Sequence, residues 1–372
     1  MNIKSLLLGS AAALVAVTGA RAADAVVIAE PEPMEYVRIC DVYGTGFYYI
    51  PGTETCLRVG GYVRYDIGFG DLTTYGFGVD TDGDPDDGET YYKRARANVK
   101  LDARSETELG TLRGYINLNF NFTRGSADGP SDGFGINDAY IELGGFRVGK
   151  TDSLFSTFTG YAGGVIADDL GVPYGPFGTH QIAYTFTGGN GFAAAVALEV
   201  GDDSYDSSDL FNNGGGHPID DYMPHVVAGV SYTQGWGGVS VVGGYDAFLE
   251  EGAVKGRIDV NATEQLSLFL MAGWSSNDPD GVGIGNINAN NYYAQWNGDW
   301  AVWGGGTFKA TEKAAINVQL SYDEDENFAA VANVAYTLVP GLVITPEIQY
   351  VDNFDVDDTD AVGGFLRFQR NF

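Results

Sequence analysis

From Leu57 onward the chain alternates. Leu57, Val59, Val63, Tyr65, Ile67 and Phe69 fall on one face, whereas Arg58, Tyr62, Arg64 and Asp66 fall on the other. A period of two sustained over this length predicts a β-strand with an apolar side and a charged side. The stretch "YYKRARANVKLDAR" repeats the pattern, with Ala95, Ala97, Val99, Leu101 and Ala103 set against Arg94, Arg96, Asn98, Lys100, Asp102 and Arg104. In "TLRGYINLNFNF", Leu112, Ile116, Leu118, Phe120 and Phe122 oppose Arg113, Tyr115, Asn117, Asn119 and Asn121. The segments "AVKGRIDVNA", "AAINVQLSY", "FAAVANVAYT" and "LVITPEIQY" continue the series. A soluble sandwich can carry one polar face. Polar faces repeated around many strands fit a closed barrel better, with lipid outside and water inside.

The connections sharpen this expectation, because long acidic or Gly-rich loops alternate with tight turns. Long members include "DLTTYGFGVDTDGDPDDGET", "DDSYDSSDLFNNGGGHPIDD" and "NDPDGVGIGNINAN". Short members are "SETELG", Gly144-Gly145, "GGN" ending at Asn190, "GWG" ending at Gly237 and "VPG" ending at Gly341. Long loops at one end and short turns at the other predict an all-β, sixteen-stranded antiparallel transmembrane barrel from Leu57 to Phe372. The strand ends are least defined around 145–151 and 292–309.

Composition supports the pattern. The chain carries 54 Gly, 23 Tyr and 21 Phe, a density that suits short strands, turns and aromatic girdles. The first residues combine Lys4, an apolar run from Leu6 to Val17 and an Ala20-Arg21-Ala22 cleavage pattern, so 1–22 reads as a secretory leader. No later apolar run reaches the roughly 18 residues that a membrane helix needs. Residues 23–56 read as a periplasmic segment ahead of the barrel at 57–372. An exported chain meets an oxidising compartment, so its two cysteines, Cys40 and Cys56, read as one disulfide. The formal net charge of -30 argues against nucleic-acid binding, which needs a basic footprint.

Three motifs compete as catalytic or metal chemistry. "GGFRVGKT", Gly144 to Thr151, matches a phosphate-binding loop, but the following "DSLFSTFTGYAGG" has no convincing helical face to receive phosphates. "DTDGDPDDGETY" from Asp80 resembles a calcium loop, yet Pro85 stands at the required Gly and Tyr91 at the bidentate Glu. His180, His217 and His225 show neither zinc-protease spacing nor a nucleophile-elbow partner. No enzyme, metal or cofactor is expected.

Charge placement says more. Twelve of the eighteen Lys and Arg residues that follow the leader lie between Arg38 and Lys150, and none lies between Thr151 and Val254. In a closed barrel the last strand returns beside the first, bringing Arg367 to the same side, while Arg370 has the opposite parity. One wall should therefore be positive, with Arg64, Arg94 and Arg96 nearer mid-height and Arg58, Lys100 and Arg113 nearer the periplasmic end. The longest loop, Thr151 to Thr179, carries no cation but holds Asp152, Asp168 and Asp169, and its apolar content suits packing against an inner wall. Acids facing a basic wall would set a transverse field across a water-filled constriction. Tyr62, Tyr92, Tyr115 and Tyr140 share the inward parity, which leaves a solute-specific channel with an aromatic track as an alternative. A structural or adhesive barrel with a plugged lumen is a further one.

The Cys pair with "GTGFYYIPGTETCLRVGGYVRYD", the "YYKRARANVKLDARSETELGTLRGY" segment and the tail "VGGFLRFQRNF" resemble the alphaproteobacterial outer-membrane porin family. The resemblance covers essentially the whole chain after the leader. It implies a homotrimeric, sixteen-stranded general-diffusion porin of a Gram-negative outer membrane whose third loop folds into the pore. Its partners would be outer-membrane lipids, lipopolysaccharide, ions and small hydrophilic solutes.

Overall fold

The computed structural model describes residues 38–70, 90–125, 131–201, 217, 219, 221–276 and 291–372. The expected leader, the Pro- and Glu-rich linker, most of the calcium-loop-like segment and the centres of the long loops lie outside the described residues.

A two-residue strand, β1 (Tyr48–Tyr49), precedes the barrel. The barrel begins with β2 (Cys56–Gly70), β3 (Tyr92–Thr107), β4 (Gly110–Arg124), β5 (Ser131–Leu143) and β6 (Phe146–Asp152). It continues through β7 (Gly178–Thr187), β8 (Phe192–Val200), β9 (His225–Gln234), β10 (Gly237–Asp246), β11 (Glu251–Asn261) and β12 (Leu266–Ser275). The circuit ends with β13 (Trp300–Lys309), β14 (Ala314–Asp323), β15 (Asn327–Val339), β16 (Leu342–Asn353) and β17 (Ala361–Asn371). Each strand from β2 pairs antiparallel with the next, and β17 returns to β2 in register from Gly363↔Gly70 to Asn371↔Tyr62. Closure removes the unpaired sheet edges that an open sheet would expose. Phe372 finishes the seam, exchanging backbone hydrogen bonds of 3.0 and 3.1 Å with Gly61.

The period of two becomes an inside and an outside. On β3 and β4 the polar set turns inward, and Asn98, Asp102, Asn117 and Asn119 are buried. Ile116, Phe120 and Phe122 stay exposed on the other face, where the membrane's hydrocarbon lies. Aromatics collect at the rims. Trp300, Tyr322, Phe354 and Phe328 form a chain of ring contacts at one end, and Phe146 meets Tyr184 at the other, 4.6 Å apart. The β5–β6 connection is two residues, Gly144 and Gly145, with φ of 57° and 96°. Both need the left-handed region, which explains the glycine pair in so tight a hairpin.

Cys40 and Cys56 are joined, with Cα atoms 6.0 Å apart, and β1 pairs with the first residues of β2. The small lobe they enclose buries Phe47. The guanidinium groups of Arg58 and Arg104 stack on that ring at 4.9 and 5.2 Å, so the lobe rests on the start of β2 and the end of β3.

Two local expectations are corrected. A six-residue helix, α1 (Leu154–Thr159), does follow β6, because the Ser153 hydroxyl caps it by accepting from Phe155 N at 3.1 Å. The apolar stretch around Tyr292 is not the start of a strand. Tyr292, Tyr293, Ala294 and Trp296 are buried, and β13 begins at Trp300. Room for them comes from Gly244 and Gly273, where an added Cβ would stand 2.5 Å from Tyr293 and 2.6 Å from Trp296.

Candidate pore constriction

The cross-strand register stacks the cations of β17, β2, β3 and β4 into tiers. In the outermost tier Asp66 is fully buried and sits between Arg367 and Arg94, its register partners on the two flanking strands. Arg367 donates Nε to Asp66 at 2.7 Å, and Arg94 donates Nη2 at 2.8 Å. One tier further in, Arg64 and Arg96 are direct register partners. Arg64 Nε donates to Gln369 Oε1 at 2.8 Å and Arg96 Nε to Asn121 Oδ1 at 2.6 Å. Neither arginine has an ion pair among the described residues. An amide row of Asn98, Asn117 and Asn119 follows, and Lys100 lies opposite Asn117.

Toward the short turns, Asp102 becomes the centre. It accepts from Arg104 Nη2 at 2.7 Å, Arg113 Nε at 3.0 Å and Arg58 Nη2 at 3.5 Å. Arg113 also reaches Glu142 at 2.8 Å, which in turn holds Arg147 at 2.6 Å. The inward tyrosines join this wall, with Arg64 over Tyr62 at 4.5 Å, Arg113 over Tyr115 at 4.7 Å and Arg147 over Tyr140 at 4.6 Å. Tyr92 lies under Arg94 at 5.8 Å and also packs edge-on against Phe365. Of the six cations placed on the wall from sequence, Arg58, Arg94 and Arg113 are thus paired with carboxylates, while Arg64, Arg96 and Lys100 have no ion pair among the described residues.

The connection between β6 and β7 takes hold of the inward-facing residues of the remaining strands. Glu199 of β8 accepts from Ser153 Oγ and Leu154 N, both at 2.7 Å. Lys255 of β11 is fully buried and donates to Tyr174 O at 2.6 Å, with its ammonium 4.6 Å from the Phe155 ring centre. Arg257 of β11 donates to Tyr161 O at 2.6 Å and Trp303 of β13 to Val172 O at 2.8 Å. Gln319 of β14 holds Asp168 O at 2.6 Å. Glu347 of β16 receives the backbone N–H groups of Ile166 and Ala167, the second at 3.1 Å. The connection therefore lies along the inner side of β8 to β16. Val165, Ala167 and Leu170 pack there on Ala329, Val331 and Val351.

The three acids of this connection form no ion pair among the described residues. Asp152 ends β6 and accepts from Tyr161 Oη at 2.6 Å, and Asp168 accepts from Tyr174 Oη at 2.8 Å. Asp169 is exposed. Burial, with the neighbouring Asp169 charge second, pushes the Asp168 carboxyl up to about 7.

Two of the competing motifs have structural roles, and the calcium-loop-like segment lies almost wholly outside the described residues. The glycines of "GGFRVGKT" form the β5–β6 hairpin, and Lys150 Nζ donates to Asn137 O at 2.8 Å. His217 and His225 both approach Asp246, at 2.7 and 3.4 Å, and that carboxylate also accepts the N–H groups of Phe248 and Tyr292. They brace the base of two long loops. His180 stands apart, exposed on β7.

Residues 24–365 match the family described as the porin subfamily. The chain belongs to this porin family. Porin Omp2b of Brucella suis is 50% identical over 396 residues, and porin Omp2a of Brucella canis is 49% identical over 394. In both alignments all of this chain and all of the relative are covered. Among solved structures, the outer membrane channel DcaP of Acinetobacter baumannii matches with a TM-score of 0.63 at 18% identity, over 87% of this chain and 99% of that one. A triple mutant of Rhodopseudomonas blastica porin matches at 0.55 and 12%, over 85% and 100%. The porin is an outer-membrane channel and not an enzyme. Its Cys40–Cys56 disulfide and sixteen-stranded closed barrel agree with the sequence reading.

Several residues that shape the lumen escaped that reading. Glu199, Lys255 and Glu347 each sit singly among apolar or small residues on a strand, which is itself a signal, since lone buried charges need partners. What they would grip was not visible, because several of the partners are backbone groups of a segment far away in sequence.

Proposed function

We propose that this porin passes ions and small hydrophilic solutes passively, through an eyelet between the basic wall of β17–β4 and the β6–β7 connection. The carrying observation is complementary: the connection hydrogen-bonds to strands β8, β11, β13, β14, β15 and β16, and the cation tiers lie on β17, β2, β3 and β4. A barrel of sixteen strands leaves an aqueous lumen, and an inserted segment narrows it on one side. Arg64, Arg94, Arg96, Arg58, Lys100 and Arg113 then bound the passage opposite Asp152, Asp168 and Asp169. The low-dielectric wall focuses the field between them. Polar solutes align with that field, whereas apolar ones must disturb ordered water. The many loop acids outweigh the wall, so weak cation preference is the expected selectivity.

The outward residues Ala95, Ala97 and Ala103 of β3 are small, which favours close packing against a neighbouring subunit and a homotrimer.

Planar-bilayer recording tests the reading. Expected are large ohmic conductance steps in groups of three, unblocked by any sugar. Arg94→Gln with Arg96→Gln should move the reversal potential in a KCl gradient toward stronger cation preference. An unmoved potential would remove these residues from the constriction, and saturable block by one sugar would favour a solute-specific channel.

A further inference from the structure

Most guanidinium groups on the basic wall spend their hydrogen-bonding fork on a carboxylate. Arg367 and Arg94 each direct Nε and Nη2 at Asp66, and Arg104 and Arg113 direct theirs at Asp102. Arg64 and Arg96 differ. Each commits only Nε, and only to a neutral amide oxygen, Gln369 or Asn121. Like charges directly opposite on neighbouring strands are destabilising, and neither arginine has a direct ion pair among the described residues to offset this juxtaposition. The amides fix the planes of both guanidinium groups, and the four Nη nitrogens make no hydrogen bond among the described residues. Both side chains are only half-buried, so the forks remain open to the lumen.

We propose that Arg64 and Arg96 form a binding station for a phosphate group passing through the pore. Paired forks suit this ion. A phosphate carries about -1.5 to -2 charge at neutral pH and three strong acceptor oxygens, whereas a single carboxylate is matched by one fork. Gln369 and Asn121 act as positioning residues, since they orient the forks without contacting the ion. Asp66 does not compete with phosphate for the station, because Arg94 and Arg367 occupy its oxygens. The chemistry is shared by inorganic phosphate and by phosphorylated small solutes, and either would bind transiently during passage.

The inference rests on the eyelet reading, and the test separates the two. Single-channel current is recorded in KCl while inorganic phosphate is added, then a sugar phosphate, then acetate as the one-carboxylate control. The station predicts current that falls saturably with phosphate but not with acetate. Saturation by the sugar phosphate as well would assign the site to phosphorylated solutes; saturation by inorganic phosphate alone would assign it to the free ion. Arg64→Lys with Arg96→Lys keeps both charges and removes the forks. It should raise the half-blocking phosphate concentration at least tenfold. Asn121→Leu, which frees the Arg96 plane, should raise it less, in channels of unchanged step size. An unchanged half-blocking concentration in the double-Lys channel, or a strictly linear response to phosphate, overturns the station. If Arg64→Gln with Arg96→Gln still shifts the reversal potential in that case, the eyelet stands alone. If it shifts nothing, both readings fall.

Discussion

The two sides of the lumen use charge in opposite ways. On β17–β4 charged side chains are numerous and paired sideways, strand to strand, with their outer atoms at the water. On β8–β16 three buried charges point at backbone: Glu199 and Glu347 take N–H groups, and Lys255 takes a carbonyl, while the half-buried Arg257 pairs with Asp259 and also reaches Tyr161 O. The first arrangement leaves a surface that solutes can meet. The second holds a long segment in place against the loss of its hydration. A buried charge is tolerated only when its partners are complete, so each anchor both requires and fixes the connection.

The largest break in this comparison comes from Asp66→Ala. It leaves Arg94 and Arg367 unpaired at the seam that closes the barrel, and removing one member of a buried pair costs about 3–5 kcal/mol. The heat needed to unfold the barrel, read from the gel shift of heated samples, should fall sharply. Asp66→Asn, which still accepts, should fall less, and an unchanged transition would mean that Asp66 does not hold the seam. Glu347→Ala comes next. It strips the N–H groups of Ile166 and Ala167 of their acceptor, at about 1–3 kcal/mol for each buried group left unsatisfied. Because that loss falls on the connection and not on the barrel ladder, the expected sign is a larger or noisier single-channel conductance with little change in barrel melting. Equal conductance would show that Gln319 and Trp303 suffice to hold the segment.

The same contrast explains what could be read before any coordinates. The wall residues Arg64, Arg94 and Arg96 were legible because a strand's period of two assigns every side chain to a face, and because a closed barrel brings Arg367 beside them. Sixteen strands were legible for the same reason, helped by Gly144-Gly145 and the other short turns. Pairing within the wall was not, since it depends on register: only the alignment of Asp66 with Arg94 and Arg367 shows that this tier is largely neutralised. The inserted segments were least legible. Helix α1 depends on a Ser153 cap and on Glu199, more than forty residues away in sequence, and the inward turn at Tyr292–Trp296 depends on space left by Gly244 and Gly273. Periodicity carries no information about such long-range accommodation.

The smallest expected effect concerns the acid side of the proposed eyelet and its dependence on pH. Asp168 lies in the β6–β7 connection, where burial and the adjacent Asp169 push its carboxyl up to about 7. Its ordinary value is about 4, so the docked connection binds more protons than the undocked chain between these limits. Docking is therefore favoured in full below about pH 4 and loses this contribution as pH rises toward about 7, where the carboxylate forms. The same ionisation adds negative charge to the passage. Cation preference in a KCl gradient should consequently grow between about pH 6 and pH 8, and Asp168→Asn should flatten that dependence while leaving the preference at pH 6 nearly unchanged. A slope that persists in Asp168→Asn would transfer the titration to another group, with the adjacent Asp169 the first to be replaced.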